Sequence, residues 1–203
     1  MVIFLSEKDD ILIIYGSPHK NSFTSFLLNE YYEYKNKFHS VFDCYETLPL
    51  PCTDCGYCKT ACCCKFRDLD DFFGHFEKAQ KIVFAFPIYN AGLPAPLKAL
   101  IDRFQLYYNL RFYAGKKVFS DKKRPVTLIM SYGGREDVTS KAISQLLPCF
   151  SISGCFLEKT IVLGNTDEYQ ALRNNGFSAG SDAANDILKP LIKVFKKEQN
   201  QHY

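Results

Sequence analysis

The sequence predicts a three-layer α/β/α fold, with a five-stranded parallel sheet covered by helices on both faces. Three observations carry that expectation. Short, continuous apolar runs each end in a loop rich in glycine or proline, and stretches with apolar residues at helical spacing lie between them. The length of 203 residues, 47% of them hydrophobic, gives enough chain for one full-sized core. A single domain over residues 1–203 is therefore expected.

Ile11 to Tyr15 reads as the first buried strand, ended by Gly16-Ser17-Pro18. Phe23, Phe26, Leu27, Tyr31 and Tyr34 follow at helical spacing, with Asn29, Glu33 and Lys35 on the opposite face. Val41 to Tyr45 is the second predicted strand, before the Pro49-Leu50-Pro51 break. Leu69, Phe72, Phe73 and Phe76 mark the next helix, and Ile82 to Phe86 a third strand stopped by Pro87. The helix from Pro96 to Phe104 opens with proline in its favoured first turn and carries the stripe Leu97, Leu100, Ile101 and Phe104. Val126 to Met130 is the fourth strand. A helix through Ala142, Ile143, Leu146 and Leu147 then leads to a fifth at Cys155 to Leu163. Ala183 to Lys197 is expected as a closing helix kinked at Pro190. Five strands alternating with helices suit the flavodoxin-like order 2-1-3-4-5.

A net charge of +3 is too small to argue for a nucleic-acid surface, and Lys193, Lys196 and Lys197 read as a solvated helix end. Val2 to Leu5 is too short an apolar stretch for a signal peptide or a membrane span, which predicts a soluble, cytoplasmic protein. His19, His39, His75 and His202 are too dispersed to suggest a catalytic cluster.

Open parallel sheets bind ligands at the carboxyl ends of their strands, so the loops after the first, third and fourth strands should share one crevice. The first, from Gly16 to Ser25, offers Ser17, Asn21, Ser22, Thr24 and Ser25 as donors beside a helix start, which suits a phosphate dianion. His19 and Lys20 add charge there or lie on the surface. Serine and asparagine are equally the favoured caps of an ordinary helix. The second loop, Pro87 to Pro96, supplies an aromatic and an amide for a flavin ring in Tyr89 and Asn90, although Tyr89 also suits the core rim. In the third, Gly133 and Gly134 either let the backbone approach a ligand or make a plain turn.

Three segments together resemble the flavodoxin-fold NAD(P)H-dependent FMN reductases and iron–sulfur flavoproteins. They are Gly16-Ser-Pro-His-Lys-Asn-Ser22, the Pro-Cys-x-x-Cys-Gly-Tyr-Cys-Lys run at 51–59, and Phe86-Pro-Ile-Tyr-Asn90 with Leu97-Lys-Ala-Leu-Ile-Asp-Arg-Phe104. The likeness is specific from about residue 11 to 104 and only topological beyond. It implies FMN phosphate on the loop from Ser17 to Ser25, including His19, Asn21, Ser22, Phe23 and Thr24. It further implies the isoalloxazine against Pro87, Ile88, Tyr89 and Asn90, with Tyr132, Gly133 and Gly134 near the ring or ribityl chain. NAD(P)H would be the transient electron donor, stacking over the flavin, since no G-x-G-x-x-G follows a strand. The acceptor is unidentified. Members are commonly dimers or tetramers, and the aromatic stretch Phe104 to Tyr113 would serve such an interface or simply end a helix in the core.

Six of the nine cysteines fall between Cys52 and Cys64, within the loop at 51–64. In a reducing compartment, that density points to a metal, an iron–sulfur cluster or a redox couple. A C-x2-C-x2-C run supplies three thiolates from one tight turn, and Cys52, Cys55 and Cys58 meet that requirement for a [4Fe-4S] cluster. In iron–sulfur members of the family the fourth ligand follows after a short gap, which implies Cys63, with Cys62 and Cys64 as neighbours able to substitute. The same thiols also suit a tetrahedral zinc site or a redox-active dithiol. Two other readings remain open: an electron carrier without direct nicotinamide turnover, and a zinc-stabilised redox-sensing module. Cys44, Cys149 and Cys155 lie in apolar contexts and read as packing residues.

Overall fold

The continuous apolar runs become the buried interior of one sheet. The computed structural model describes residues 11–31, 39–119, 123–170 and 187–196. Its strands are β1 (Ile11–Tyr15), β2 (His39–Asp43), β3 (Lys81–Pro87), β4 (Arg124–Ser131), β5 (Cys155–Leu163) and β6 (Ile192–Lys196), in the order β2-β1-β3-β4-β5-β6. All neighbours from β2 to β5 pair parallel, with Ile13 opposite Val41 and Val83, and Phe84 opposite Leu128. The 2-1-3-4-5 order expected from the sequence is present, and a sixth strand extends it.

That strand corrects the closing-helix expectation. Within Ala183–Lys197, residues 187–191 make a helical turn and β6 then runs antiparallel to β5, while 183–186 and 197 lie outside the described residues. Pro190, inside that turn, has no amide proton to donate to a continuing helix. The following Ile192-Lys-Val-Phe-Lys196 is rich in strand formers and covers the outer edge of β5. The second strand also ends earlier than expected. The Asp43 carboxylate accepts the amide protons of Tyr45 and Glu46 at 2.8 and 3.1 Å, so a short helix α2 (Cys44–Thr47) starts where the strand was to continue. Tyr34 of the first predicted helix, with Glu33 and Lys35, lies outside the described residues.

Alternation along the strands divides the core. Ile11, Ile13, Tyr15, Val83 and Ala85 pack with Phe23, Phe26 and Leu27 of α1 (Phe23–Tyr31) on one face. Leu12, Ile14, Ile82, Phe84 and Phe86 face the other core. That layer comprises α4 (Asp70–Lys78), α5 (Ala95–Asp102), α6 (Gln105–Phe112) and α7 (Thr139–Ile152), with the short α3 (Cys58–Ala61) against α6. Phe72, Phe73, Phe76, Phe104, Tyr107 and Phe119 form its aromatic centre, with Phe76 and Phe104 edge-to-face at 4.9 Å. Such ring pairs add roughly 0.5–1.5 kcal/mol each beyond the area they bury. Cys44 and Cys149 are buried, and burial pushes up the thiol pKa of both and of half-buried Cys155, so all three stay protonated.

Candidate functional site

A cavity of about 240 Å³ opens at the carboxyl ends of β1, β3, β4 and β5. It is lined by Ser17, His19, Ser22, Phe23, Thr24, Pro87, Ile88, Tyr89, Ser131, Tyr132, Gly133, Thr166, Asp167 and Gln170. Hydroxyls gather on the β1–α1 side. Ser22 caps α1: its Oγ accepts the Ser25 amide proton at 3.2 Å, and the Ser25 Oγ accepts the Ser22 amide proton at 2.8 Å. Tyr15, beneath the loop, donates its hydroxyl to the His19 carbonyl at 2.7 Å. Buried Thr24 shares a 2.8 Å hydrogen bond with Ser131 at the end of β4, tying the helix start to the sheet.

Aromatics supply the opposite wall. Tyr89 and Gly92 exchange backbone hydrogen bonds of 3.1 and 2.8 Å across a turn whose tip, Asn90 and Ala91, takes positive φ. The turn leaves Tyr89 43% exposed at the cavity mouth. Tyr132 is buried, and a Cβ on Gly164 would fall inside the van der Waals shell of its ring. Gly164→Ala is therefore expected to displace Tyr132, lower stability by about 1–3 kcal/mol and weaken FMN binding, measurable by urea unfolding and flavin titration.

The expected site residues separate on this geometry. Asn21, Asn90 and Gly134 are exposed and outside the cavity lining, whereas the other ten line it. Lys20 leaves the cavity altogether for Asp43 and, at 2.9 Å, Glu46. Its partial burial disfavours the ammonium, but the two carboxylates outweigh that and raise its pKa. Gly133 does not leave open space for a ligand, because an added Cβ would lie 2.5 Å from Asp167 Oδ1.

The thiol-rich loop forms a second, smaller cavity. Cys52, Cys55, Cys58 and Cys64 line it with Arg103, Gln105, Leu106 and Asn109; Cys63, the expected fourth thiol, does not. The physical reason is local. Cys62 ends α3 in the left-handed region at φ 57° and turns the chain, and its thiol contacts the Thr60 carbonyl at 3.8 Å. Buried Arg103 closes the base of the loop. It donates to the Leu50 carbonyl, Asp68 Oδ1 and the Phe66 carbonyl, each at 2.9 Å, and Asp68 Oδ2 accepts the Leu50 amide proton at 3.0 Å. Buried Asn109 reaches Cys58 Sγ at 3.0 Å.

The model of the family described as NADPH-dependent FMN reductase matches residues 10–167. The chain belongs to that family. Its curated relatives include the iron–sulfur flavoprotein of Archaeoglobus fulgidus, 29% identical over 154 residues that cover 71% of this chain and 72% of the relative. The iron–sulfur flavoprotein of Methanosarcina thermophila is 29% identical over 150 residues, covering 72% of each. Among solved structures, the NAD(P)H:quinone oxidoreductase from Methanothermobacter marburgensis superposes with a TM-score of 0.59 at 18% identity, covering 95% of this chain and 98% of its own, a likeness of fold.

The chain is thus an FMN-dependent oxidoreductase using NAD(P)H as electron donor. The first cavity has the chemistry that FMN needs, hydroxyl donors at a helix N-terminus and aromatic surface opposite. The cavity lining also includes Ser131, Thr166, Asp167 and Gln170, which the sequence did not single out. Ser131 ends β4, and the signal for the other three was the loop opening Gly164-Asn165-Thr166-Asp167, a fourth carboxyl-end loop following β5. No helix among the described residues is long and apolar enough to cross a membrane.

The second cavity admits a test of metal type. Four sulfurs bound to one zinc at 2.3 Å stand about 3.8 Å apart in a tetrahedron. Among the described residues, no three Cys, His, Asp or Glu side chains form a group able to hold one metal ion. The space that Cys52, Cys55, Cys58 and Cys64 line measures about 20 Å³.

Proposed function

We propose that this protein is an iron–sulfur flavoprotein that passes electrons from NAD(P)H through FMN to a [4Fe-4S] cluster held by Cys52, Cys55, Cys58 and Cys64, and on to a one-electron acceptor. The observation carrying this reading is the shared cavity of those four thiols in a chain that also has the flavin cavity. When bound, FMN supplies a carrier that takes two electrons as hydride and releases them singly, and a cluster supplies a one-electron carrier. The protein's part is binding and tuning. Ser17, Ser22 and Thr24, with the amides at the start of α1, would hold the phosphate, and Tyr89 and Tyr132 would hold the ring. His19, Phe23, Pro87, Ile88 and Gly133 complete the wall. Asn109 donates to Cys58, which would lower the electron density on that sulfur and raise the potential of a cluster bound there.

Ser22→Ala with Thr24→Ala is expected to weaken FMN binding by about tenfold or more, since hydrogen bonds to a charged group contribute roughly 1.5–3 kcal/mol each. Flavin fluorescence titration reads the result, and unchanged affinity removes these hydroxyls from the phosphate site. The deciding experiment for the whole reading is an anaerobic spectrum with iron and sulfide analysis. Flavin bands over a broad background, with about four iron and four sulfide per chain, are expected. Flavin without iron would reduce the protein to a simple FMN reductase with free thiols.

The oligomer is proposed to be a homodimer or homotetramer using the exposed rings of Tyr108 and Phe112 on α6 and of Tyr113 just after it, which light scattering tests. A cytoplasmic location accords with the free thiols.

A further inference from the structure

A third cavity, of about 290 Å³, lies at the opposite end of the sheet. Lys123 immediately precedes β4 and Gly154 immediately precedes β5, and both line it, together with α6 and the last turn of α7. The flavin cavity sits beyond the other end of β4, about 25 Å away at 3.3 Å per residue. A ligand here cannot touch the flavin, so this is a separate site.

Its charge is one-sided. Arg111, Lys116, Lys117 and Lys123 line the cavity, and among the described residues no carboxylate does. None of the four makes an ion pair with a described residue. Between Arg111 and Arg124 the sequence carries six cations against the single carboxylate of Asp121, whereas the whole chain has net charge +3, so the rest of the molecule is net acidic. The floor includes the buried rings of Tyr107 and Phe119. Behind Phe119 lies the buried guanidinium of Arg124, 4.6 Å from its ring centroid, which adds a further positive charge beneath the low-dielectric wall.

Helix ends do not account for this. A helix C-terminus carries about half a negative charge, so α6 and α7 together offset about one cation. The remaining repulsion disfavours the folded state unless an anion relieves it. Lysines dominate the set, and their flexible point charges suit phosphate oxygens without demanding one fixed planar geometry. The volume is at the small end of the range for small-molecule sites.

We propose that this cavity binds an oligophosphate anion of the pyrophosphate class, either free or as the diphosphate part of a nucleotide. The proposal is independent of what the thiols hold. It is tested by isothermal titration of the FMN-loaded protein with inorganic pyrophosphate, and separately with ADP, at low and moderate salt. Saturable 1:1 binding that weakens with salt is expected. Lys116→Gln with Lys117→Gln and Lys123→Gln should weaken it by at least about tenfold while FMN content and the unfolding midpoint hold. Tighter binding of ADP than of pyrophosphate assigns the nucleotide source, and equal or weaker binding the free anion. Absence of saturable binding, or equal binding by the triple variant, overturns the proposal. Should the triple variant lose FMN or fold poorly, Lys117→Glu alone is read in its place, and undiminished pyrophosphate binding by it overturns the proposal equally.

Discussion

Arg103→Met is expected to destabilise the protein by roughly 3–5 kcal/mol, the usual consequence of removing one partner of a buried ion pair. The side chain is 1% exposed and its partner Asp68 26%. Truncation would strand the Asp68 carboxylate and leave the Leu50 and Phe66 carbonyls without their donor. Both carbonyls flank the thiol loop, one before Cys52 and one after Cys64, so the loss should fall first on that loop. Limited proteolysis should cut between residues 50 and 66 in the variant while the sheet still resists. Arg103→Lys is expected to rescue little, because a single ammonium does not reproduce the forked donation to three acceptors. Urea unfolding reads the global cost. A variant as stable as the parent, with an uncut loop, would show that the clamp is dispensable.

The second large effect separates two adjacent thiols. Cys64→Ala is expected to abolish iron–sulfur absorbance and leave flavin bound, whereas Cys63→Ala should keep both chromophores. Only Cys64 shares the cavity with Cys52, Cys55 and Cys58. Anaerobic reconstitution with iron and sulfide, followed by absorbance and metal analysis, distinguishes them. The reverse pattern would return the ligand to Cys63. Loss of cluster in neither single variant would mean that the neighbouring thiols replace one another.

The contrast between these two cysteines also marks where sequence reading stops. Spacing along the chain gives the C-x2-C-x2-C run directly, but three consecutive thiols differ only in where the backbone aims them. That is decided by the left-handed turn at Cys62, a conformation a non-glycine residue rarely adopts and no pattern announces. The parallel strands were legible because both faces are covered, making each a continuous apolar run such as Ile11 to Tyr15. β6 was not, since Ile192-Lys-Val-Phe-Lys196 is short, charged and largely exposed, and is defined by its pairing with β5. That Ser17, Ser22, Thr24, Tyr89 and Tyr132 line one cavity could be anticipated from their places after strands. Asp167 was not singled out, although its loop follows β5, because its packing on Gly133 exists only in the folded chain.

The reciprocal bonds between Ser22 and Ser25 have a bearing on how the protein meets its cofactor. The loop that would grip a phosphate already satisfies its own polar groups, with Tyr15 bracing it from below. Removing the flavin therefore strands few donors and should not unravel the helix start. The apoprotein is expected to persist as a folded, refillable species, so that in the cell FMN behaves as an exchangeable passenger whose occupancy follows its free concentration.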